Sequence, residues 1–465
     1  MKIHFLGGAR TVTGSQHLIE VNGYKILLEC GFFQGRRSDM YEINQNFAFD
    51  PKEVDFLILS HTHLDHSGNI PNLVKQGFTG EIYATEPTIE LVKILLKDSA
   101  FLQELDVRWV NKLREKSNKQ KVKPIYNQED VQKCLHLFKG VNYDQTIHLG
   151  KGIKFTLRDA GHILGSAGVL LEINENGKQT RLGFSGDIGR YERVITHDPN
   201  PMQDLDALII ETTYGNRFHE PQEEIEQQLS ELVNHAVEQG SKIIIPSFAI
   251  GRTQQLVYYL HKLFDQDRIH DIPIYVDSPM ARKATDVYRS FTDYMDRETA
   301  RIFLKGNRDP FSFHRLTYVD SKEESQALNH LVIPHVIISA SGMCEGGRIM
   351  HHLRNNIEDP NAIILFVGFA AQHTLARKIM DGQQEVKIFG EDFRVKAQIK
   401  IMGTFSAHGD RKDLLNYVHA SPPAKLKNIF LVHGELESAQ SLVDAYRSKG
   451  YENVHIPEKG SVYEI

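Results

Sequence analysis

The sequence predicts an α/β protein of two domains, the second inserted into the first. Three observations lead there. At 465 residues the chain exceeds one ordinary core and suffices for two. Its first part reads as short alternating or apolar strands separated by tight turns, whereas from about residue 209 short apolar runs alternate with helices. Residues 395–465 then return to short strands that would rejoin the first domain. The expected division is 1–208, 209–394 and 395–465.

Taken in order, residues 4–6, 16–21 and 24–30 are plausible strands, the last two joined by Asn22-Gly23, a strong hairpin signal. Residues 56–60 form a continuous apolar run ending in polar residues, as a buried strand does. Helical periodicity covers 88–105. Residues 112–123 follow with six basic residues and one acidic, a pattern read as a solvated helix end or loop rather than a track for RNA phosphates. Strands resume at 153–157, 168–173 and 181–185. Beyond residue 208 the apolar runs 208–211, 242–246, 272–276, 335–339 and 362–367 alternate with helices, of which 223–239 is the clearest. Ile225, Leu229, Leu232 and Val233 share one of its faces. Such alternation implies a mainly parallel sheet covered on both sides. Residues 398–402 and 428–432 are the strands of the tail.

Composition excludes several classes. Hydrophobic residues at 41% and charged residues at 25% argue against disorder. No apolar run reaches the roughly 20 residues that span a bilayer. The N-terminus turns polar at once without a signal-peptide core, so the expected location is cytoplasmic. Cys30, Cys134 and Cys344 are too scattered for a disulfide framework or a paired metal site, and read as buried free thiols. With a net charge of -6, a nucleic-acid partner must be held by local basic patches or metal ions. The unusual count is 23 histidines, and their clustering decides the chemistry.

Residues 61–66 read His61-Thr62-His63-Leu64-Asp65-His66, directly after an apolar strand. His61 and His63 share a face in an extended segment, and Asp65 and His66 follow in a turn where they can face a second ion. Imidazoles and carboxylates are what Zn²⁺ accepts, at about 2.0–2.2 Å. His162, Asp187 and His433 each end another apolar strand, and a carboxylate such as Asp187 can bridge two metals. Together these residues complete two sites with room for a shared water.

These motifs resemble the successive metal motifs of metallo-β-lactamase-fold hydrolases. Glu211-Thr212-Thr213-Tyr214-Gly215, Phe405-Ser406-Ala407-His408 and the segment ending in His433-Gly434-Glu435 resemble motifs A, B and C of the β-CASP branch. Pro246-Ser247-Phe248-Ala249-Ile250-Gly251-Arg252, Asp277-Ser278-Pro279-Met280-Ala281, Ser341-Gly342-Met343 and Gly346-Gly347-Arg348 add to the likeness. It spans nearly the whole chain and is strongest to the RNA-processing group that includes the nuclease subunit of the cleavage and polyadenylation specificity factor. The resemblance implies an αββα sandwich interrupted by an α/β β-CASP domain, with the active site in a cleft between the two.

It further implies a zinc-dependent ribonuclease holding two Zn²⁺ per chain. His61, His63 and His162 would bind one ion, Asp65, His66 and His433 the other, and Asp187 would bridge them. Two such ions generate a hydroxide and clamp phosphate oxygens, and Asp65 would also orient the water. His408 is the expected proton donor, kept protonated by Glu211. Arg252, Ser278, Ser341, Arg348, Gln372 and Thr374 are candidates for holding RNA phosphates, although helix-start and turn chemistry accounts for them equally well. Two departures stand out. Glu29 replaces the Asp of the first motif, a support for the site, and His373 stands where relatives commonly carry glycine. His4, His17, His235, His351 and His352 have no expected catalytic role.

The expected partner is single-stranded RNA, with no membrane; a homodimer is compatible with the sequence. Simple thioester or lactone hydrolases of this fold lack so large an insertion. The DNA-directed branch typically has valine where His433 stands, which favours RNA while leaving dual activity open. Metal-deficient RNA-binding scaffolds of the family have lost ligands that are all present here.

Overall fold

A computed structural model of the chain describes residues 1–465 apart from Arg36, Asn118, Gln222, Asn307, Phe369 and Gln372, and apart from the side chains of residues 37, 38, 223 and 304–306. Two compact units divide it. Met1–Glu192, His197–Phe218 and His408–Ile465 form the first, and Arg193–Thr196 with His219–Ala407 form the second.

The first unit holds two seven-stranded sheets among the described residues. One runs in the order Ser461–Glu464, Lys2–Gly7, Gln16–Val21, Tyr24–Leu28, Phe56–Ile58, Glu81–Ala84, Phe138–Gly140. Its hairpin turns at Asn22 and Gly23, whose φ values of 51° and 71° are the left-handed pair that matches the twist of the strands. The other runs Val454–His455, Asn428–Val432, Ala207–Glu211, Lys178–Phe184, Ala167–Glu175, Ile153–Asp159, Thr146–Gly150. Between the sheets Phe5, Ile19, Ile26 and Ile58 meet Phe155, Val169, Ile209 and Phe430 in one apolar core. The outer face of the first sheet packs Leu57 and Ile82 on Leu73, Val92 and Val131, from the helices Ile70–Lys75, Glu86–Lys116 and Gln128–Leu135. The outer face of the second packs Leu208, Ile210 and Leu431 on Leu414 and Leu442, from Arg411–His419 and Leu436–Ser448. This is an αββα sandwich.

The second unit carries a six-stranded parallel sheet in the order Leu316–Tyr318, Ile274–Asp277, His335–Ser339, Lys242–Pro246, Ala362–Phe366, Gln398–Ile401. Ile244, Ile337 and Ile364 pack against Leu353 and Ile379 on one side of it.

Two expected placements move. The strand Ala207–Glu211 belongs wholly to the first unit, paired in parallel with Lys178–Phe184 and Asn428–Val432. All five of its residues are buried because both faces are covered, and this produces a continuous apolar run like those of the inserted sheet. Conversely, Gln398–Ile401 does not rejoin the sandwich; it pairs with Ala362–Phe366 at the edge of the second unit's sheet. Its half-exposed pattern is that of an edge strand, which says little about the sheet it joins. Cys30, Cys134 and Cys344 are free and buried. Among the described residues no helix is long and apolar enough to cross a membrane.

Candidate metal centre

Five strands of the first unit deliver the expected residues from their C-terminal ends. Phe56–Ile58 leads to His61 and His63 and then to the short helix Leu64–Ser67, which carries Asp65 and His66. Ile153–Asp159 leads to His162, Lys178–Phe184 to Asp187, Ala207–Glu211 ends on Glu211, and Asn428–Val432 leads to His433. The last three strands are mutually parallel, so their ends lie on one edge, where backbone turns present polar side chains without breaking the core.

The structure brings the seven expected ligands into two sets. In the first, His61 Nε2 lies 3.0 Å from His63 Nδ1, which lies 3.3 Å from His162 Nε2. Asp187 Oδ2 stands 3.5 Å from His61 and 3.7 Å from His162. In the second, His66 Nε2 is 3.1 Å from His433 Nε2, which is 3.4 Å from Asp65 Oδ2, with 4.0 Å between His66 and Asp65. Asp187 Oδ2 is also 3.3 Å from His66 Nε2, so this one oxygen lies beside both sets. Donor atoms about 2.0–2.2 Å from a tetrahedral ion stand about 3.3–3.6 Å from each other, and the observed spacings bracket that value.

Protonation agrees with this fit. Burial, with the nearby charge of His66, holds His61 well below the usual imidazole range. Burial lowers His63 to about 4 despite the carboxylates of Asp65 and Asp187. Neutral imidazole is the form that binds a metal. His66 goes the other way: burial lowers it, but Asp187, Asp65 and Glu29 together raise it well above 6.5. Burial opposes ionisation of Asp187, yet the surrounding imidazoles keep it well below the usual carboxylate range. A divalent cation would replace the proton that those carboxylates otherwise draw onto His66.

A ring of further contacts fixes these groups. Glu29, fully buried, accepts from His66 Nδ1 at 2.5 Å, from the Ser60 amide at 2.6 Å and from Ser60 Oγ at 2.9 Å. It thus orients His66 through the nitrogen that does not face the donor set, which fixes the ring and raises its basicity. The longer side chain is accommodated with φ 65° at its Cα, a left-handed backbone that Asp and Asn adopt more readily. Ser60 Oγ also lies 2.9 Å from His61 Nδ1. Thr213 Oγ1 is 3.3 Å from His433 Nδ1 and donates to the His433 carbonyl at 3.1 Å. The sequence reading passed over Ser60 and Thr213; the signal was their position, each beside a motif carboxylate or imidazole at a strand end.

Glu211 and His408, 197 positions apart, meet in the first unit: His408 Nδ1 lies 3.1 and 3.2 Å from the two carboxylate oxygens. Glu211 is held in turn by the amides of Ile188 at 2.6 Å and Thr213 at 3.2 Å. A short bridge pairs His408 with Gly189, next to the loop of Asp187, and a Cβ on Gly189 would sit 2.0 Å from the Gly161 carbonyl. That close approach needs glycine. Burial lowers the His408 pKa, but Glu211 and then Asp187 outweigh it, so the net shift is upward. Its side chain is 19% exposed, unlike the buried imidazoles around it.

The expected phosphate contacts that the structure describes lie in the second unit. Arg252 opens the helix Arg252–Asp265 and donates to Gln255 Oε1 at 3.1 Å, beside a recess lined by Ser247, Phe248, Gly342 and Gly368. Ser278 caps Pro279–Ser290, and Thr374 caps Leu375–Met380. Ser341 Oγ reaches the Gly346 carbonyl at 3.4 Å. Arg348 is engaged by Asp277 at 2.6 Å and by the Asp320 carbonyl at 2.6 Å. Gln372 lies outside the described residues. His373 has φ 72°, the region glycine enters without cost, which accounts for glycine being the expected residue there.

Three family models match the chain: a metallo-beta-lactamase superfamily domain over residues 18–179, a Beta-Casp domain over 253–379, and a Zn-dependent metallo-hydrolase RNA specificity domain over 392–457. Ribonuclease TTHA0252 of Thermus thermophilus is 35% identical over 452 residues, 97% of each chain. Transcription termination factor FttA of Methanocaldococcus jannaschii is 31% identical over 98% of this chain and 70% of its own. An RNase J-like protein of the same organism is 29% identical over 100% of this chain and 99% of its own. A solved structure of a protein of unknown function from Enterococcus faecalis V583 shares the fold at TM-score 0.56 and 12% identity, covering 99% of both chains.

Proposed function

Because this chain belongs to the β-CASP branch of the metallo-β-lactamase superfamily and its relatives include a protein named as a ribonuclease, we propose that it hydrolyses RNA phosphodiester bonds with a pair of zinc ions. The observation that carries the reading is the sharing of Asp187 Oδ2 between two sets of donors at tetrahedral spacing. His61, His63 and His162 would hold one ion and Asp65, His66 and His433 the other, with Asp187 between them. When bound, the pair supplies a nucleophile at neutral pH and neutralises charge at phosphorus.

The chain's own residues do the rest. Asp65, 23% exposed at the rim of the second set, accepts a hydrogen bond from the attacking water and orients it. Glu29 and Thr213 hold His66 and His433 by their Nδ1 atoms, so that the Nε2 atoms converge. His408, protonated because Glu211 engages its Nδ1, donates from Nε2 to the departing 3′ oxygen. Glu211 is a positioning residue that acts through His408. Arg252 and the neighbouring recess are offered as phosphate contacts, where a guanidinium makes a bidentate pair.

The test is a cleavage time course on one single-stranded RNA labelled at either end, run beside matched DNA and a chelator control, with the zinc content of the purified chain measured. Chelator-sensitive cutting of RNA with two zinc ions per chain is expected, and the two labels separate internal from 5′-end cleavage. Equal cutting of DNA would extend the substrate class. Intact RNA at full zinc occupancy would overturn the reading.

A further inference from the structure

The helix Glu86–Lys116 is 31 residues long, and its second half has two faces of opposite character. One face is tied to the body of its own unit. Ala100 is fully buried, Asn111 exchanges two hydrogen bonds with the Val122 backbone at 3.0 and 2.9 Å, and Arg114 donates to the Gln120 carbonyl at 2.5 Å. The other face carries Phe101, Leu102, Leu105, Trp109 and Leu113, exposed at 49, 45, 41, 58 and 44%. At about 100° per residue these five fall within one arc of roughly 120°. A stripe of this kind, including the single tryptophan of the chain, is an interaction surface rather than scattered surface apolarity.

Charge along the stripe identifies the occupant. Asp98 and Asp106 flank its N-terminal half; Arg108, Lys112 and Lys116 flank its C-terminal half. We propose that this face pairs with the same face of a second copy of the chain, antiparallel, about a two-fold axis passing beside Val107. In that register Leu105 meets Trp109, Phe101 meets Leu113, Asp106 meets Arg108, Asp98 meets Lys116, and Leu102 lies along the aliphatic stem of Lys112. Four of the five apolar residues face apolar ones, and Asp98 and Asp106 each face a base, as a self-complementary two-fold interface requires. Parallel pairing would oppose Asp106 to Asp106 and Lys116 to Lys116. Shifting the antiparallel axis by one residue would face Phe101 with Asn111 or Glu115. The partner is thus defined by both the pattern and its symmetry.

Sedimentation of the full chain from about 1 to about 200 µM, with tryptophan emission read on the same samples, tests the pairing. A concentration-dependent dimer is expected, with Trp109 emission moving to shorter wavelength in step as the indole is buried. Trp109→Glu should abolish association. Asp106→Arg should weaken it by at least ~10-fold, and the charge swap Asp106→Arg with Arg108→Asp should restore it to within roughly threefold of the wild type. The rescue also controls for folding, since a misfolded variant cannot regain association through a second surface change. A monomer at every concentration overturns the proposal. So does a dimer that the single charge reversal leaves intact, or that the swap fails to restore. If the chain stays monomeric and Trp109 emission responds to single-stranded RNA instead, the proposal fails in favour of a nucleic-acid contact.

Discussion

Each unit buries a carboxylate at the end of a parallel strand and sets a histidine against it, but the surroundings of the two pairs differ. In the second unit Asp277 is fully buried and saturated: Arg348 Nη1 and His352 Nε2 each lie at 2.6 Å and Ser325 Oγ at 2.5 Å. Burial works against its ionisation, but the hydrogen bonds from His352, Ser325 and Arg348 hold its pKa below the usual value. His352 is 1% exposed. In the first unit Glu211 meets His408 at 3.1 Å and is otherwise held by two backbone amides. Its imidazole keeps 19% exposure. The same chemical pair thus serves two ends. Where a guanidinium completes the charge balance and the imidazole is sealed, the pair is an anchor for the sheet. Where the imidazole reaches the surface beside Asp187, it is a group that can move a proton.

The sharpest test exchanges the two histidines' fates. His408→Ala should lower kcat for RNA cleavage by roughly 10²- to 10⁴-fold, the range for loss of a positioned acid. Its unfolding free energy in urea should stay within about 1 kcal/mol of wild type. His352→Ala should do the opposite: a loss of about 2–3 kcal/mol, because a buried carboxylate loses a hydrogen-bond partner, with kcat per folded molecule within roughly threefold of wild type. If His352→Ala slows cleavage without destabilising the fold, the contrast between the pairs is void.

A second, smaller effect concerns pH. A donor works only while protonated, so activity falls as the pH rises through the His408 pKa. Glu211 is the largest influence raising that pKa against burial. Glu211→Gln should therefore move the alkaline limb of the kcat profile to lower pH. It should also leave more activity at pH 6 than at pH 8, relative to wild type. An alkaline limb that stays in place would assign the proton to another group. No such limb should respond to changes at Asp277.

Much of this contrast was legible in the sequence and part of it was not. The seven donor residues were legible because His61, His63, Asp65 and His66 crowd one strand end, and because His162, Asp187 and His433 each stop an apolar run. The pairing of Glu211 with His408 needed motif resemblance, since spacing cannot place residues 197 apart. Glu29 was expected as support, but its grip on His66 depends on a left-handed backbone that the residue's identity does not announce. Asp277 and His352 were invisible as a pair. One ends a strand, the other lies within the helix Ile349–Asn356, and only the parallel sheet brings them to 2.6 Å. Gln398–Ile401 was misplaced because an edge strand of four residues has no pattern that names its sheet. The helix Glu86–Lys116 ran 11 residues past the expected end at 105, into a stretch whose charges read as loop.

The smallest effect separates charge from neutral hydrogen bonding in the anchor. Ser325 Oγ is the one uncharged side chain on the Asp277 carboxylate among the described residues, and Ser325 is itself buried. Ser325→Ala removes that donor and leaves Arg348 and His352 in place, so Asp277 stays paired. A neutral donor to a partnered buried carboxylate contributes about 1–2 kcal/mol, less than His352 does. Urea unfolding of Ser325→Ala should show that smaller loss with an unchanged m-value, and cleavage should proceed at the wild-type rate. Arg348 and His352 then carry most of the anchor, as their short contacts to the carboxylate imply. A loss equal to that of His352→Ala would mean that Asp277 depends on the number of its donors rather than their charge. The difference from Glu211, which is held mainly by neutral amides, would then narrow to the exposure of the histidine alone.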